Sequence, residues 1–312
     1  MHFDFDTAVS APFRMQPGLR RLAAGTQQLT PLAPGSRHQR EKLAVLSAFA
    51  DQALLQQPDF DATPALHALC AHAAAEHPGA FGWDGRRAHA RLLGTAVADD
   101  AVEHVAAGSF GLGDEVARCL RGLPAGWRLA GLLSLAFAED FAVVDGDSGH
   151  IPWLAVCLPS HWAPEDKVGR HFAEVHAPVA DNALLVGASQ ALTRMVTGAE
   201  RWERFVWTVT PHPRLHAHPR RVDERRWAGV PVGGAWWRSE RQTFIPVPGL
   251  QQAVFTIGVD VQALPLAIDT PARAARLHAA VASMSPAVLA YRGLTPVRDD
   301  LLAWLQARAA NA

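Results

Sequence analysis

Tyrosine, cysteine and charge are all scarce in this chain, and each scarcity narrows the functions open to it. One tyrosine and three cysteines occur among 312 residues, and charged residues make up 19%. Cys70, Cys119 and Cys157 lie far apart with no Cys-x-x-Cys pair, so no zinc or iron–sulfur site is expected on cysteine. An odd number of dispersed cysteines fits a reducing compartment. A net charge of −1 argues against a nucleic-acid partner, which needs a basic face. No apolar run approaches the ~20 residues of a membrane span. The opening MHFDFDTAVSAP is acidic and lacks a signal peptide's basic-then-apolar order. The expectation is a cytoplasmic protein with no membrane partner. A glycine-rich phosphate loop, a flavin or nicotinamide motif and an internal repeat are also missing.

Hydrophobic residues make up 49% of the chain, enough for a sizeable core in one large domain or two modest ones. Fifteen histidines and ten tryptophans stand against the single tyrosine. Tryptophan brings large apolar area with one donor, which suits the wall of a pocket for a flat ligand as well as an ordinary core.

Three regions are expected. Residues 1–40, rich in Pro, Gly and Gln, read as a wrapping segment. Residues 41–125 read as helical. Leu43, Leu46, Phe49, Leu54 and Leu55 recur at helix-like spacing, Thr63-Pro64 opens a helix to Glu76, and 90–106 and 114–121 continue the pattern. Residues 126–312 change character. Apolar runs at 132–144 and 151–158 flank the turn cluster Asp145-Gly-Asp-Ser-Gly149 and predict strands. Residues 180–197 predict a helix and 205–209 a strand. Residues 236–247 and 253–259 predict a hairpin turning at Pro248-Gly249, and three helices follow Pro271. This order is α+β with an antiparallel sheet, not a parallel doubly wound one.

Several motifs recur in a recognisable order: Pro12-Phe-Arg-Met-Gln-Pro-Gly-Leu19, Glu139-Asp140-Phe141, Pro159-Ser160-His161-Trp162, Lys167-Val-Gly-Arg170, His176-Ala-Pro-Val179, Arg238-Ser-Glu-Arg-Gln-Thr243 and Val254-Phe-Thr-Ile257. Together they resemble the haem-dependent oxidative N-demethylase alpha-subunit family, over Phe13 to Trp304. The family often shows Arg-x-Asn-Trp where this chain has Arg204-Phe-Val-Trp207, which bears on substrate identity.

The resemblance implies a PAS-like sheet holding haem b. It implies oxidation of a small methylated amine by oxygen to formaldehyde and the demethylated amine, with electrons from separate flavin and iron–sulfur reductase and folate-binding subunits. Histidine is the common axial ligand when no thiolate is in place. His176 is the candidate, held near an extended Ala-Pro, with His171 as runner-up; a five-residue gap puts the two on different faces. Cys157 has no nearby basic residue and reads as an inert buried thiol. Arg238 and Arg241 point to opposite faces of a strand. Either could hold a haem propionate or join a cross-strand ion pair, and Lys167 and Arg170 have the same two readings. Glu139 and Asp140 could bind the amine or its proton, or stand as strand-end charges in water. Trp162 and Trp207 are candidates to wall the cofactor. The run His212-Pro-Arg-Leu-His-Ala-His218 reads as an exposed loop rather than a metal site. A haem-binding sensor or carrier is the alternative function, although no kinase, cyclase or DNA-binding segment accompanies the domain.

Overall fold

A computed structural model describes residues 3–222 and 227–310. Its strands are β1 (Arg20–Arg21), β2 (Leu54–Gln56), β3 (Phe81–Trp83), β4 (Arg87–Ala90), β5 (Thr95–Ala98), β6 (Ala101–His104), β7 (Glu139–Asp145), β8 (Trp153–Ala155), β9 (Trp202–Thr210), β10 (Trp236–Pro246) and β11 (Gln252–Ala263). Seven form one sheet in the order β1-β9-β10-β11-β7-β8-β2, and β3 to β6 form a separate four-stranded meander. Every named pairing is antiparallel. The α+β expectation therefore stands.

The long hairpin β10–β11 organises the sheet. It pairs continuously from Trp236↔Ala263 to Pro246↔Ala253, and Gly249 takes the left-handed φ of +77° at its turn. On one sheet face lie helices Thr63–Glu76 and Arg128–Ala136. Helices Pro271–Ala282 and Arg298–Ala310 enclose a second core with Trp207 and Trp237. Residues from the 160–196 segment cover part of the opposite face.

Two expectations need correction. Residues 90–106 form strands and turns with one short 3-10 helix at Arg91–Leu93, not an α-helix. The alanines that suggest helix alternate with other residues in β4 to β6, and Asp99 and Asp100 both take positive φ (46° and 64°), as a tight two-residue hairpin turn requires. The apolar run 132–144 is also not one strand. It divides into the end of helix Arg128–Ala136 and strand β7. That helix is apolar on nearly every side because it is buried on nearly every side, and a continuous apolar run cannot by itself distinguish helix from strand.

A buried ion pair joins the helical region to the sheet. Lys42, on helix Arg37–Ala48, has no exposure. Its Nζ donates to the carbonyls of Glu139 (2.6 Å) and Phe137 (3.1 Å) and lies 3.0 Å from Asp140 Oδ1. Removing one member of such a pair strands the other charge in the core. Lys42→Ala should therefore lower the unfolding free energy by about 3–5 kcal/mol in urea titrations, and adding Asp140→Asn should recover part of that loss. An unchanged midpoint for Lys42→Ala would refute this account.

Candidate functional site

A cavity of about 330 Å³ opens on one face of the large sheet. Its floor follows strand alternation. β10 contributes Arg238, Glu240, Gln242 and Phe244, β9 contributes Arg204, Val206 and Thr208, and Phe255 and Ile257 come from β11. Cross-strand pairing fixes their rows: Glu240 stands opposite Val206, and Gln242 opposite Arg204 on one side and Ile257 on the other. Trp162, Phe172, Val175 and His176 form part of the cover, Met15 and Leu19 come from the N-terminal segment, and Tyr291 and Arg292 close one end.

The wall is apolar between its charges, and those charges are unbalanced. Among the described residues of the lining, Lys167, Arg204, Arg238 and Arg292 accompany one carboxylate, Glu240. Arg238 is saturated: Nε donates to Ser160 Oγ at 2.7 Å, and the other nitrogens donate to the carbonyls of Leu158, Pro159, Arg214 and Leu215. Burial pushes its pKa down to about 10, so it remains charged at neutral pH. Lys167 donates to Val175 O at 3.1 Å, and burial lowers its pKa. Arg292 lies over the Trp207 ring, 5.0 Å from its centroid, and donates to the Trp207 carbonyl; burial brings it to about 10. Arg204 differs. Its Nε is enclosed without a hydrogen-bond partner, and burial lowers its pKa. A guanidinium held this way is a ready donor to an anionic ligand.

His176 ends the short helix Phe172–His176, which is capped by His171: the Ala173 N–H donates to His171 Nδ1, while Glu174 accepts from the His171 backbone. The His176 Nδ1–H donates to Phe172 O at 2.8 Å, which settles the tautomer and leaves the Nε2 lone pair without a hydrogen bond. Burial pushes the His176 pKa down to about 4, and nearby Arg204 and Lys167 push the same way. At neutral pH the group is an oriented neutral imidazole, the form that ligates a metal.

Of the residues singled out by sequence, His176, Lys167, Arg238, Trp162 and Trp207 border the cavity. The Trp207 indole turns to the other sheet face, stacked 5.1 Å from Trp237 and donating to Ala8 O. His171 is occupied as the helix cap and lies outside the cavity lining, and Arg170 is exposed elsewhere. Arg241 pairs with Glu203 at 3.0 Å on the opposite face. Asp140 stands in register with Ile257, but Leu158 N–H (2.6 Å) and Lys42 take its carboxylate. Glu139 accepts from Thr30 N–H at 2.9 Å, and burial raises its pKa; both carboxylates are buried, not strand-end charges in water. Cys157 is fully buried and its pKa is raised by that burial, in keeping with an inert thiol. The 212–218 run is not an exposed loop: His218 is 1% exposed and bonded to Glu165 at 3.1 Å, and His216 bonds the Cys157 carbonyl. Arg204, Glu240 and Arg292 were missed as site residues. The first two could have been found by extending the period-two alternation through β9 and β10.

Fold and site define an α+β protein with a largely apolar cavity on its main sheet, in which cationic side chains predominate among the described residues. The residues fit a haem: apolar walls for the ring, the unpartnered Arg204 Nε and neighbouring cations for carboxylates, and His176 Nε2 for iron. The chain belongs to the family described as haem-dependent oxidative N-demethylase, alpha subunit-like, whose profile matches residues 50–302. That description names haem dependence, oxidative demethylation at nitrogen and a subunit role.

The His176 shift has a signed consequence for stability. Above about pH 6.5 the group is neutral in both states and its contribution is fully present. Between pH 6.5 and the folded value of about 4, the unfolded chain takes up a proton that the folded chain refuses, so stability falls as pH falls. His176→Gln should flatten this slope, removing a pH-dependent loss on the order of 2 kcal/mol in denaturant titrations at pH 7.5 and 4.5. Identical slopes for variant and parent would refute it.

Proposed function

We propose that the chain is a haem b-dependent N-demethylase of small methylated amines, drawing electrons from a partner reductase. The observation that carries this reading is a neutral, backbone-oriented imidazole in a largely apolar cavity where, among the described residues, cations outnumber carboxylates. A bound haem supplies the one-electron and oxygen chemistry. The net reaction converts R₂N–CH₃, O₂, two electrons and two protons to R₂NH, formaldehyde and water. His176 ligates iron through Nε2, and the Phe172 carbonyl fixes its ring. Arg204 and Arg292, with Lys167 beside them, hold the propionates. Trp162, Phe244 and Phe255 exclude water from the reacting centre.

The sheet supports a PAS-like assignment. Numbered along the chain, β7, β8, β9, β10 and β11 lie in the spatial order 2-1-5-4-3, with helices between the second and third strands. This is the strand order of a PAS-type sheet. No flavin, nicotinamide or iron–sulfur motif is present in the sequence, so turnover calls for a flavin/iron–sulfur reductase subunit, with a folate-binding subunit as acceptor for formaldehyde.

Protein from haem-supplemented cells should show a Soret band that dithionite shifts. His176→Ala should strip the haem or change its ligation, whereas His171→Ala should retain it. Absence of a Soret band, even after addition of hemin, would sink the cofactor assignment; loss only in His171→Ala would move the ligand there.

With a suitable reductase and oxygen, a screen of secondary and tertiary methylamines should yield formaldehyde at about one equivalent per oxygen consumed. A six-coordinate haem whose spectrum no amine perturbs would point instead to a carrier or sensor.

A further inference from the structure

The helix Phe172–His176 is five residues long, too short to hold its own place, because nucleation costs more than so few internal bonds return. Bonds from outside fix it. The Phe172 N–H donates to Gly149 O at 2.8 Å, and Lys167 Nζ donates to Val175 O at 3.1 Å. At the end that carries His176, Asn182 Nδ2 donates to His176 O at 3.1 Å and to Ala177 O at 2.8 Å, and the Val179 N–H also bonds His176 O. Asn182 directly precedes helix Ala183–Gly187, where an asparagine ordinarily caps its own helix through its side-chain oxygen. Here its amide nitrogen reaches back to the preceding helix, whose last carbonyls lie beyond intrahelical N–H groups.

The neighbouring residue anchors this clasp. Asp181 takes a left-handed φ of 53°, which aspartate tolerates better than most residues, and its Oδ2 accepts from Ser285 Oγ at 2.8 Å. Ser285 caps helix Pro286–Tyr291 by accepting from the Val288 N–H, and Tyr291 and Arg292 close one end of the cavity. Asp181 and Asn182 therefore tie the His176 helix to the helix at the cavity's end. The restraints on the imidazole itself are local: Nδ1–H to Phe172 O, and the Phe172 ring with its centroid 4.0 Å away. Both come from the same short helix, so they hold the ring to the helix but not the helix to the protein.

We infer that Asn182 is a positioning residue for His176. By holding the His176 and Ala177 carbonyls it keeps the last turn closed over Phe172, and with it the orientation of the imidazole that borders the cavity. Its consequence for haem rests on the proposed function; its effect on the imidazole does not.

Two measurements test it. Long-range 1H–15N NMR at pH 7 reads the His176 ring in haem-free protein, and transfer of haem to excess apomyoglobin reads its hold on the cofactor in protein from haem-supplemented cells. The parent should show one tautomer, protonated at Nδ1. Asn182→Ala should mix the tautomers and release haem about tenfold faster. Its urea midpoint should stay close to the parent's, because one lost bond is exposed and the other half-buried. Asn182→Asp, which sets an acceptor against the two carbonyls, should behave likewise and stands in should Asn182→Ala not fold. Asn182→Gln, which keeps the donor, should recover part of both effects. A parent-like tautomer in Asn182→Ala and Asn182→Asp would overturn the inference, as would Asn182→Gln as defective as Asn182→Ala, or a urea midpoint that falls in step with haem loss. Mixed tautomers with haem release unchanged, or with a parent that binds no haem, would refute the haem reading of His176 alone and leave the positioning role standing.

Discussion

The Arg238 guanidinium is the interaction on which the geometry around the cavity depends. From the middle of the sheet it collects the Ser160 hydroxyl and the carbonyls of Leu158, Pro159, Arg214 and Leu215. Two irregular segments, far apart in sequence, are thereby tied to one rigid strand. The bridge between Ser160 and Ala217 and the bond from His161 N–H to Ala217 O follow from that closure. Irregular backbone can be buried only if its polar groups are satisfied, and one planar donor with five N–H groups meets that need. Without it, the loop carrying His161 and Trp162 would lack a fixed seat beside the cavity.

Two ways of treating buried charge coexist here. At Lys42 and Asp140 the charges pair with each other and with backbone groups, so each charge has an opposite or polar partner within the fold. In the cavity, Arg204 Nε is buried on the wall without a hydrogen-bond partner. Groups left incomplete in this way cost stability in the empty protein, and binding a ligand of the right charge offsets that cost. That contrast separates a functional site from a structural ion pair of similar composition.

Much of the fold was legible in the sequence. Turn residues and strand-like patterning located β7 to β11, and prolines at helix starts located Thr63–Glu76 and Pro271–Ala282. Where the reading failed, local signals were ambiguous. Alanine-rich strands in the small sheet mimic a helix until the paired positive-φ aspartates are known, and the run 132–144 hides a helix-to-strand change within continuous apolar residues. The 212–218 segment looks soluble by composition, yet Leu215 and Ala217 are fully buried.

The sequence by itself determined the α+β class and the family, because these rest on local periodicity and on an ordered set of motifs. Only the tertiary structure decided which charged residues share a cavity. Arg238 and Arg241 sit three apart in one motif but face opposite sides of the sheet. Glu139 and Asp140 follow the same apolar run as expected, yet both carboxylates are taken up by backbone N–H groups, and Asp140 by Lys42 as well. Arg204 and Glu240, 36 positions apart, are brought into adjacent rows by the pairing of β9 with β10. Strand register is a non-local quantity set by packing across the whole sheet, so no single stretch of sequence could announce that neighbourhood.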